Sequence, residues 1–166
     1  MAANPNAQIV IIGQAPGTKV HQTGIPWDDP SVNQLRKWLN ISDSVFYDEC
    51  KIALMPMGFC YPGKGKGGDL PPRPECAPLL HNALLNNMPN VQLIILIGTF
   101  AQKYYLGETT KGNLTETVKS FKEFLPKFIH LPHPSPRNRF WQTKNPWVIR
   151  EVVPILQERV ALLLHD

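Results

Sequence analysis

A short proline-rich segment carries the residues of the chain with the clearest chemical potential. Residues 131–139 read Leu-Pro-His-Pro-Ser-Pro-Arg-Asn-Arg, so prolines restrict the backbone on both sides of His133 and Ser135. A hydrogen-bond donor lowers a reaction barrier most when it already points at the position where negative charge develops. The segment therefore predicts that His133 stabilises an anion. The alternative, that His133 only stabilises a turn, stays open.

A second segment combines glycines with an aromatic residue. Residues 13–17 read Gly-Gln-Ala-Pro-Gly, and residues 23–29 read Thr-Gly-Ile-Pro-Trp-Asp-Asp. Glycine lets a ligand approach the backbone closely, and Trp27 offers a flat apolar face on which a nucleobase could stack. A tryptophan beside the start of a helix is also an ordinary core residue, so both interpretations remain.

These segments need a scaffold, and hydrophobic patterning predicts one of the α/β class. Short apolar, β-branched runs predict strands, and apolar residues at helical spacing predict helices. The predicted strands are residues 8–12, 51–55, 91–97 and 127–131. The predicted helices are residues 31–39, 76–88, 100–106, 114–125 and 147–164, the last interrupted or kinked at Pro154, and residues 56–74 form a long irregular loop.

The alternation of strands and helices predicts a single domain over residues 1–166. Its architecture is a three-layer α/β/α sandwich with a mainly parallel four-stranded central sheet. Ligands of such sheets bind beyond the carboxyl ends of the strands. Here those ends lead into residues 13–29, 56–74, 98–99 and 132–145, which include both segments described above.

Composition narrows the class of protein further. The chain has 166 residues, of which 43% are hydrophobic and 18% charged, as expected for a folded domain. No apolar run approaches the roughly 18 residues of a membrane span, and no signal peptide is recognisable, so we expect neither membrane insertion nor secretion. Three cysteines favour reduced thiols in the cytoplasm. A net charge of +4 suits a polyanionic partner.

Two other sequence motifs match known ligand-binding patterns only in part. Residues 58–64 match the first seven positions of a phosphate-binding P-loop, but Gly65 stands where a serine or threonine would bind Mg²⁺. His130 and His133 resemble a metal-binding pair, yet Pro132 rules out the regular helix that would align them. We therefore predict neither nucleotide triphosphate hydrolysis nor a metal site at these positions.

Together the two segments resemble the uracil-DNA glycosylase superfamily. His-Pro-Ser-Pro-Arg-Asn at 133–138 resembles the second motif of the single-strand-selective enzymes, and Thr-Gly-Ile-Pro-Trp at 23–27 is similar to their base-stacking segment. Gly-Gln-Ala-Pro-Gly at 13–17 occupies the position of the first motif. Residues 96–106, together with Cys60 and Cys76, are similar to parts of the iron–sulfur branch.

The resemblance implies a mechanism of base excision. The target nucleotide leaves the DNA stack, its base stacks on Trp27, and His133 stabilises negative charge on the base as the glycosidic bond breaks. The backbone around Gln14 and Ala15 contacts the base or the attacking water. The predicted catalytic residues are His133, Gln14 and Asp28.

The resemblance also implies a surface for DNA. Ser135 and the backbone of Gly17 would hold phosphates, while residues 137–139 would enter or flank the gap in the strand. The predicted DNA-binding residues are Gly17, Lys19, Ser135, Arg137, Asn138 and Arg139, to which Lys64 and Lys66 add positive charge. The expected partner is DNA containing a damaged base, bound by a monomer.

The chain departs from the family at the residue that handles water. The family places an aspartate or asparagine where this chain has Ala15, so Gln14 or Asp28 is predicted to orient the water. Asp29 precedes Pro30 and is better explained as the N-cap of the following helix. The asparagine that reads uracil is not evident in residues 54–58, which leaves the excised base open.

No cofactor is predicted. An iron–sulfur cluster normally takes four cysteines, whereas this chain has three, and a zinc site that uses a histidine is the remaining alternative. The leading hypothesis is a monofunctional DNA glycosylase of the cytoplasm, associated with a bacterial or archaeal nucleoid. A catalytically weak module that binds nucleic acid or nucleotides is the second hypothesis, and an α/β enzyme acting on free nucleotides is the third.

Overall fold

A sheet of four parallel strands forms the centre of the computed structural model, which describes residues 1–164. The strands of the chain are β1 (Ile9–Gly13), β2 (Ile52–Pro56), β3 (Lys64–Gly65), β4 (Gly68–Asp69), β5 (Leu93–Ile97) and β6 (Phe128–Leu131). The large sheet has the order β2-β1-β5-β6, and β3 pairs with β4 in a small antiparallel hairpin. The prediction of a mainly parallel four-stranded sheet is confirmed.

Helices cover both faces of this sheet. They are α1 (Thr18–Thr23), α2 (Ser31–Leu39), α3 (Asp43–Phe46), α4 (Cys76–Asn86), α5 (Gly98–Leu106), α6 (Leu114–Lys119), α7 (Arg139–Lys144) and α8 (Val153–Leu164). Buried residues of α2, α6 and α8 pack on one face with Ile9 and Ile11, whereas α4 and α5 pack on the other with Val10 and Ile12. Successive residues of a strand point to opposite faces, so one strand serves both cores.

The start of α2 shows how sequence fixes an element next to the candidate site. The Asp29 Oδ1 atom accepts a hydrogen bond of 2.6 Å from the Ser31 backbone N–H. This bond satisfies a donor that the first turn leaves without a partner. The N-cap position itself is Pro30, so Asp29 caps the first turn from one residue further upstream than predicted. The helix ends at Leu39 and is followed by Asn40, which adopts the left-handed conformation with φ of +54°. The predicted helix at residues 31–39 is confirmed with its exact bounds.

Two predicted helices differ from the observed ones. The prediction of one helix over residues 114–125 is wrong, because α6 ends at Lys119 and a separate 3-10 turn covers Phe121–Phe124. The C-terminal helix contains the predicted interruption near Pro154 as a π-helical turn, Val148–Val152, ahead of α8. Proline cannot donate the helical hydrogen bond and crowds the preceding turn, so the wider turn accommodates it.

The segment predicted as one irregular loop, residues 56–74, contains the β3-β4 hairpin. Helices α1, α3 and α7 were also not predicted, because they are short. Cys50 and Cys60 are exposed, Cys76 is half-buried, and all three are free thiols. Within residues 1–164, no helix has the length and apolar character needed to cross a membrane.

Candidate functional site

A small pocket lies at the carboxyl ends of β1 and β2. Its volume is about 70 Å³. Its lining includes Gly13, Gln14, Ala15, Pro16, Val20, Pro26, Trp27, Asp29 and His133, together with Met1 and the end of β2 from Leu54 to Pro56. The two sequence segments singled out for their chemistry are therefore neighbours in space, although more than 100 residues separate Trp27 from His133. We call this cavity the base pocket.

Trp27 forms one wall of the base pocket in an unusual backbone conformation. Its φ is +60°, a left-handed value that is rare outside glycine. The turn is closed by a 2.8 Å hydrogen bond from the Asp29 N–H to the Trp27 carbonyl. The indole presses on Gly13 so closely that a Cβ atom there would lie 2.8 Å from Trp27 Cζ2. Glycine at position 13 is thus required by contact with the ring.

His133 lies beside Trp27 in the same pocket. The two rings are nearly parallel, with an interplanar angle of 26° and a centroid separation of 5.9 Å, which is within the usual range for offset aromatic pairs. The His133 Nδ1 atom accepts a hydrogen bond of 3.2 Å from the Ser135 N–H. The Asn138 side-chain amide donates to the His133 carbonyl at 3.1 Å. The rigidity that the three prolines predict is thus reinforced by two hydrogen bonds.

These contacts fix the protonation of His133. A backbone N–H can only donate, so Nδ1 must be the unprotonated nitrogen and a neutral ring carries its proton on Nε2. Burial lowers the pKa of His133 below its ordinary value, and the nearby negative charge of Asp29 opposes that shift. At neutral pH the imidazole is therefore uncharged and offers one N–H donor.

Side chains from three helical regions fix the backbone around the base pocket. Each of them donates a hydrogen bond to a main-chain carbonyl next to a pocket segment. The pairs are Tyr47 Oη to the Pro26 carbonyl at 3.1 Å, His81 Nε2 to the Pro56 carbonyl at 2.9 Å, and Gln102 Nε2 to the Leu131 carbonyl at 2.9 Å. Sequence reasoning missed these three residues, because a partner in the main chain leaves no motif.

The loops after β1 and β2 stay paired beyond the ends of their strands. The Met57 N–H donates to the Gly13 carbonyl and the Gly58 N–H donates to the Gln14 carbonyl, both at 2.9 Å. Gln14, which lines the base pocket, is therefore held by its backbone. We refer to these two hydrogen bonds as the strand extension.

A wider groove of about 660 Å³ opens beside the base pocket. The two cavities share Gln14, Ala15, Pro16, Val20, Asp29 and His133. The other walls come from the start of α1, the β3-β4 hairpin and the 3-10 turn Pro136–Asn138. The hairpin contacts both neighbours: Asp69 lies against Gly17, and Gly68 lies against the Arg137 guanidinium.

The charge of this groove is mixed. Lys64 and Arg137 contribute exposed positive charges, and Asp69 contributes a negative one. Lys19 also lines the groove, but its ammonium group forms a 3.1 Å ion pair with Asp28. Polar Ser135 and the Gly17 backbone complete the lining.

The two adjacent aspartates occupy different positions. Asp28 does not line the base pocket, and its hydrogen bond with Lys19 lowers the pKa of the Asp28 carboxyl. Asp29 lines both the base pocket and the groove. The fold therefore brings Asp29, rather than the predicted Asp28, to His133 and Trp27.

Three other residues predicted to bind DNA or to add positive charge, Lys66, Asn138 and Arg139, do not line the groove. Asn138 is half-buried and is engaged with the His133 carbonyl. Arg139 is exposed at the start of α7, and Lys66 is exposed in the β3-β4 hairpin. Exposed Phe140 follows Arg139, and the Lys144 ammonium lies 4.2 Å from the centre of its ring.

The cysteines do not fit an iron–sulfur cluster. The chain has three where such a cluster takes four, and Cys50 and Cys60 are exposed while Cys76 is half-buried at the start of α4. Residues 1–164 contain no group of three or more histidine, cysteine, aspartate or glutamate side chains arranged to hold a metal ion.

The fold and the site geometry agree with a comparison against family models. The model of the uracil DNA glycosylase superfamily matches residues 2–157. The match covers the four-stranded sheet and both segments that line the base pocket. Members of this superfamily are generally hydrolytic DNA glycosylases. The chain belongs to the uracil DNA glycosylase superfamily.

Proposed function

We propose that the protein is a monofunctional DNA glycosylase that removes uracil or a related damaged base. The observation that carries this proposal is the neutral His133 imidazole, with its Nε2–H available in a pocket whose other wall is Trp27. Hydrolysis of a glycosidic bond leaves negative charge on the departing base. A rigid neutral donor stabilises that charge without itself changing during the reaction.

The base pocket and the groove suit different parts of the substrate. The base pocket is small and aromatic on one side, which suits a single base that has left the DNA stack. The groove is wider and carries Arg137, Lys64 and Ser135, which suits the sugar-phosphate backbone on which that base was held. Phosphate contacts give affinity without sequence preference, as a repair enzyme requires.

The residues of the two cavities have correspondingly different roles. Trp27, Gln14, the Ala15 backbone and His133 contact the base, and His133 has the catalytic role of binding the developing anion. Gly17, Ser135 and Arg137 contact phosphates, while Asn138 positions His133 and Arg139 contacts DNA beside the groove. We propose that the protein acts as a cytoplasmic monomer on DNA of the nucleoid and takes no cofactor.

The test is base release by the purified protein. The substrates are single- and double-stranded oligonucleotides that contain uracil, hydroxymethyluracil, hypoxanthine or xanthine, and the product is an alkali-sensitive abasic site. We expect release from at least one of them, lowered by about 10²- to 10³-fold in His133→Ala, as for loss of one preorganised donor. His21→Ala is the matched control, because His21 is exposed and lines neither cavity.

A catalytically weak binding module is the second candidate, favoured by Ala15 in the position where the family places an acid or asparagine. Retention of the oligonucleotides without any abasic product would support this candidate and contradict the glycosylase. Hydrolysis of a free nucleotide without affinity for DNA would contradict both.

A further inference from the structure

Asp29 combines a fixed position with an unused carboxylate oxygen. Its Oδ1 atom is held by the Ser31 N–H at 2.6 Å, and its backbone N–H is held by the Trp27 carbonyl at 2.8 Å. The Oδ2 atom accepts no hydrogen bond from any residue within the described range 1–164. A cap of the helix uses only one of the two oxygens. The second is available to another donor.

Asp29 is also the carboxylate that shares a cavity with His133. It lines the base pocket and the groove together, so it lies where a base and its sugar would meet. Among residues 1–164, no other aspartate or glutamate lines the base pocket. Asp28 forms an ion pair with Lys19 and does not line the base pocket, and Ala15 has no polar side-chain atom.

We propose that Asp29 Oδ2 holds the water that attacks the sugar, an inference that rests on the proposed glycosylase function. The bond between C1′ and the base nitrogen breaks, and its electron pair leaves with the base, where the His133 Nε2–H binds the developing anion. The water oxygen forms the new bond to C1′. One water proton passes to Asp29, and the base anion later takes a proton from solvent.

The physical reason is that one carboxylate meets two needs of this reaction. A negative charge near C1′ stabilises the positive charge that develops on the sugar as the bond breaks. The same oxygen accepts the proton of the attacking water, for which a positioned base contributes about 10²- to 10⁴-fold in rate. The helix cap keeps the carboxylate in one orientation, so it is oriented before substrate binds.

The substitution Asp29→Asn removes the negative charge of this side chain but keeps its hydrogen bond at the start of the helix. Asparagine caps a helix as well as aspartate does, so the hydrogen bond from Ser31 remains, whereas the carboxylate is lost. We expect single-turnover base release to fall by about 10²-fold or more, with the dissociation constant for DNA within about threefold of wild type. The substrate is the oligonucleotide from which the wild-type protein releases most base.

The matched control is Asp48→Asn. Asp48 Oδ1 accepts from the Cys50 N–H at 3.0 Å, a hydrogen bond of the same two-residue span, but Asp48 lines neither cavity. We expect no loss of base release there. Full activity of Asp29→Asn would overturn the proposal, and loss of activity in Asp28→Asn alone would assign the water to Asp28. An inactive wild-type protein would instead refute the glycosylase function itself.

If Asp29→Asn lowers the urea midpoint of unfolding, chemical rescue provides a second test of the proposal. Asp29→Ala leaves space for a small carboxylate, so added formate should restore a measurable part of base release. The same addition should not restore His133→Ala, whose missing group is a donor. Failure of formate to rescue Asp29→Ala would overturn the proposal.

Discussion

Gly13 is the residue at which the sheet meets the aromatic wall of the base pocket. It is the last residue of β1, so its position is fixed by pairing with the neighbouring strand. The indole of Trp27 cannot easily retreat from it, because the Tyr47 hydroxyl holds the Pro26 carbonyl just before the indole. A side chain at position 13 therefore changes where the tryptophan lies.

Gly13→Ala is expected to impair base release far more than it impairs folding. The new Cβ would lie 2.8 Å from Trp27 Cζ2, so the ring must shift. A displacement of about 1 Å in a site can cost about 10²-fold in rate, whereas overpacking costs about 1–3 kcal/mol of stability. Single-turnover base release and urea unfolding measure the two effects.

Gly112→Ala is the control for this substitution, because no heavy atom lies within 4 Å of the Cβ that it would add. Wild-type rates in both variants would show that the position of Trp27 does not matter for the reaction.

Among the elements, the β3-β4 hairpin has the most direct influence on the groove. It brings Lys64 and Asp69 into register as a cross-strand pair, so a positive and a negative charge lie side by side along one wall. Phosphates that enter the groove are attracted by the first and repelled by the second. The hairpin therefore sets affinity for the DNA backbone as well as the shape of the groove.

Exchange of these charges should change DNA affinity in opposite directions. Asp69→Asn removes a repulsive charge and is expected to tighten binding by about two- to fivefold, as for a partly screened charge of up to about 1 kcal/mol. Lys64→Gln should weaken DNA binding. It should also reduce the slope of the logarithm of the binding constant against the logarithm of the salt concentration by about one. Fluorescence anisotropy titrations at several salt concentrations measure both.

Glu158→Gln is the matched control for these charges, since Glu158 is exposed on α8 and lines neither cavity. Tighter binding in Glu158→Gln as well would indicate an effect of net charge and contradict a specific role of the hairpin.

The same elements show how far sequence alone can predict this fold. Strands β1, β2 and β5 are clear in the sequence because they are short apolar runs that are buried on both faces. Helix α2 is clear because its apolar residues recur at helical spacing. Helix α1 has no buried residue, so hydrophobic patterning could not reveal it. The β3-β4 hairpin consists of two-residue strands rich in glycine, a composition that equally predicts an irregular loop.

Prediction of the site had a similar limit. His133 and Trp27 were found because a proline-rich loop and an aromatic residue next to glycine and proline leave a pattern in the sequence. The choice between Asp28 and Asp29 depends on a turn of the backbone at Trp27, where φ is +60°. Adjacent residues in such a turn point in different directions, and no spacing rule tells which of them faces the pocket.

At the scale of the whole molecule, buried His81 and His130 and half-buried His133 make the fold sensitive to acid. Burial lowers the pKa of His81, His130 and His133. In His81 and His133 the Nδ1 atom accepts a hydrogen bond, from the Tyr105 hydroxyl at 2.6 Å and from the Ser135 N–H at 3.2 Å respectively, so protonation of Nδ1 would break it. In His130 the Nε2–H donates to the Thr117 carbonyl, and the buried Nδ1 has no hydrogen-bond partner within residues 1–164. In the unfolded chain these rings take up protons near pH 6.5, whereas the folded protein resists this.

Stability should therefore be flat above about pH 7 and fall as pH drops below about 6.5. In that range the unfolded state binds more protons than the folded state. The free energy of unfolding therefore falls by up to about 1.4 kcal/mol per pH unit for each such histidine. Urea unfolding between about pH 5.5 and 8 measures this dependence without titrating most carboxylates.

His81→Gln should flatten part of this decline, whereas His21→Gln should leave it unchanged, because His21 is exposed. An unfolding midpoint that is the same at both ends of this pH range would contradict the prediction.

The strand extension has a consequence for how a base reaches the pocket. The amide hydrogens of Met57 and Gly58 bond to carbonyls that directly continue β1, in the middle of the sheet. Opening these two hydrogen bonds requires separation of β2, an edge strand of the sheet, from β1, so we expect the two amide hydrogens to exchange with solvent more slowly than those of an unpaired loop. On the proposed function, the paired backbone at residues 57 and 58 does not open to admit a base. The base then enters from the groove side, and the conformational change that precedes its entry is that of the DNA.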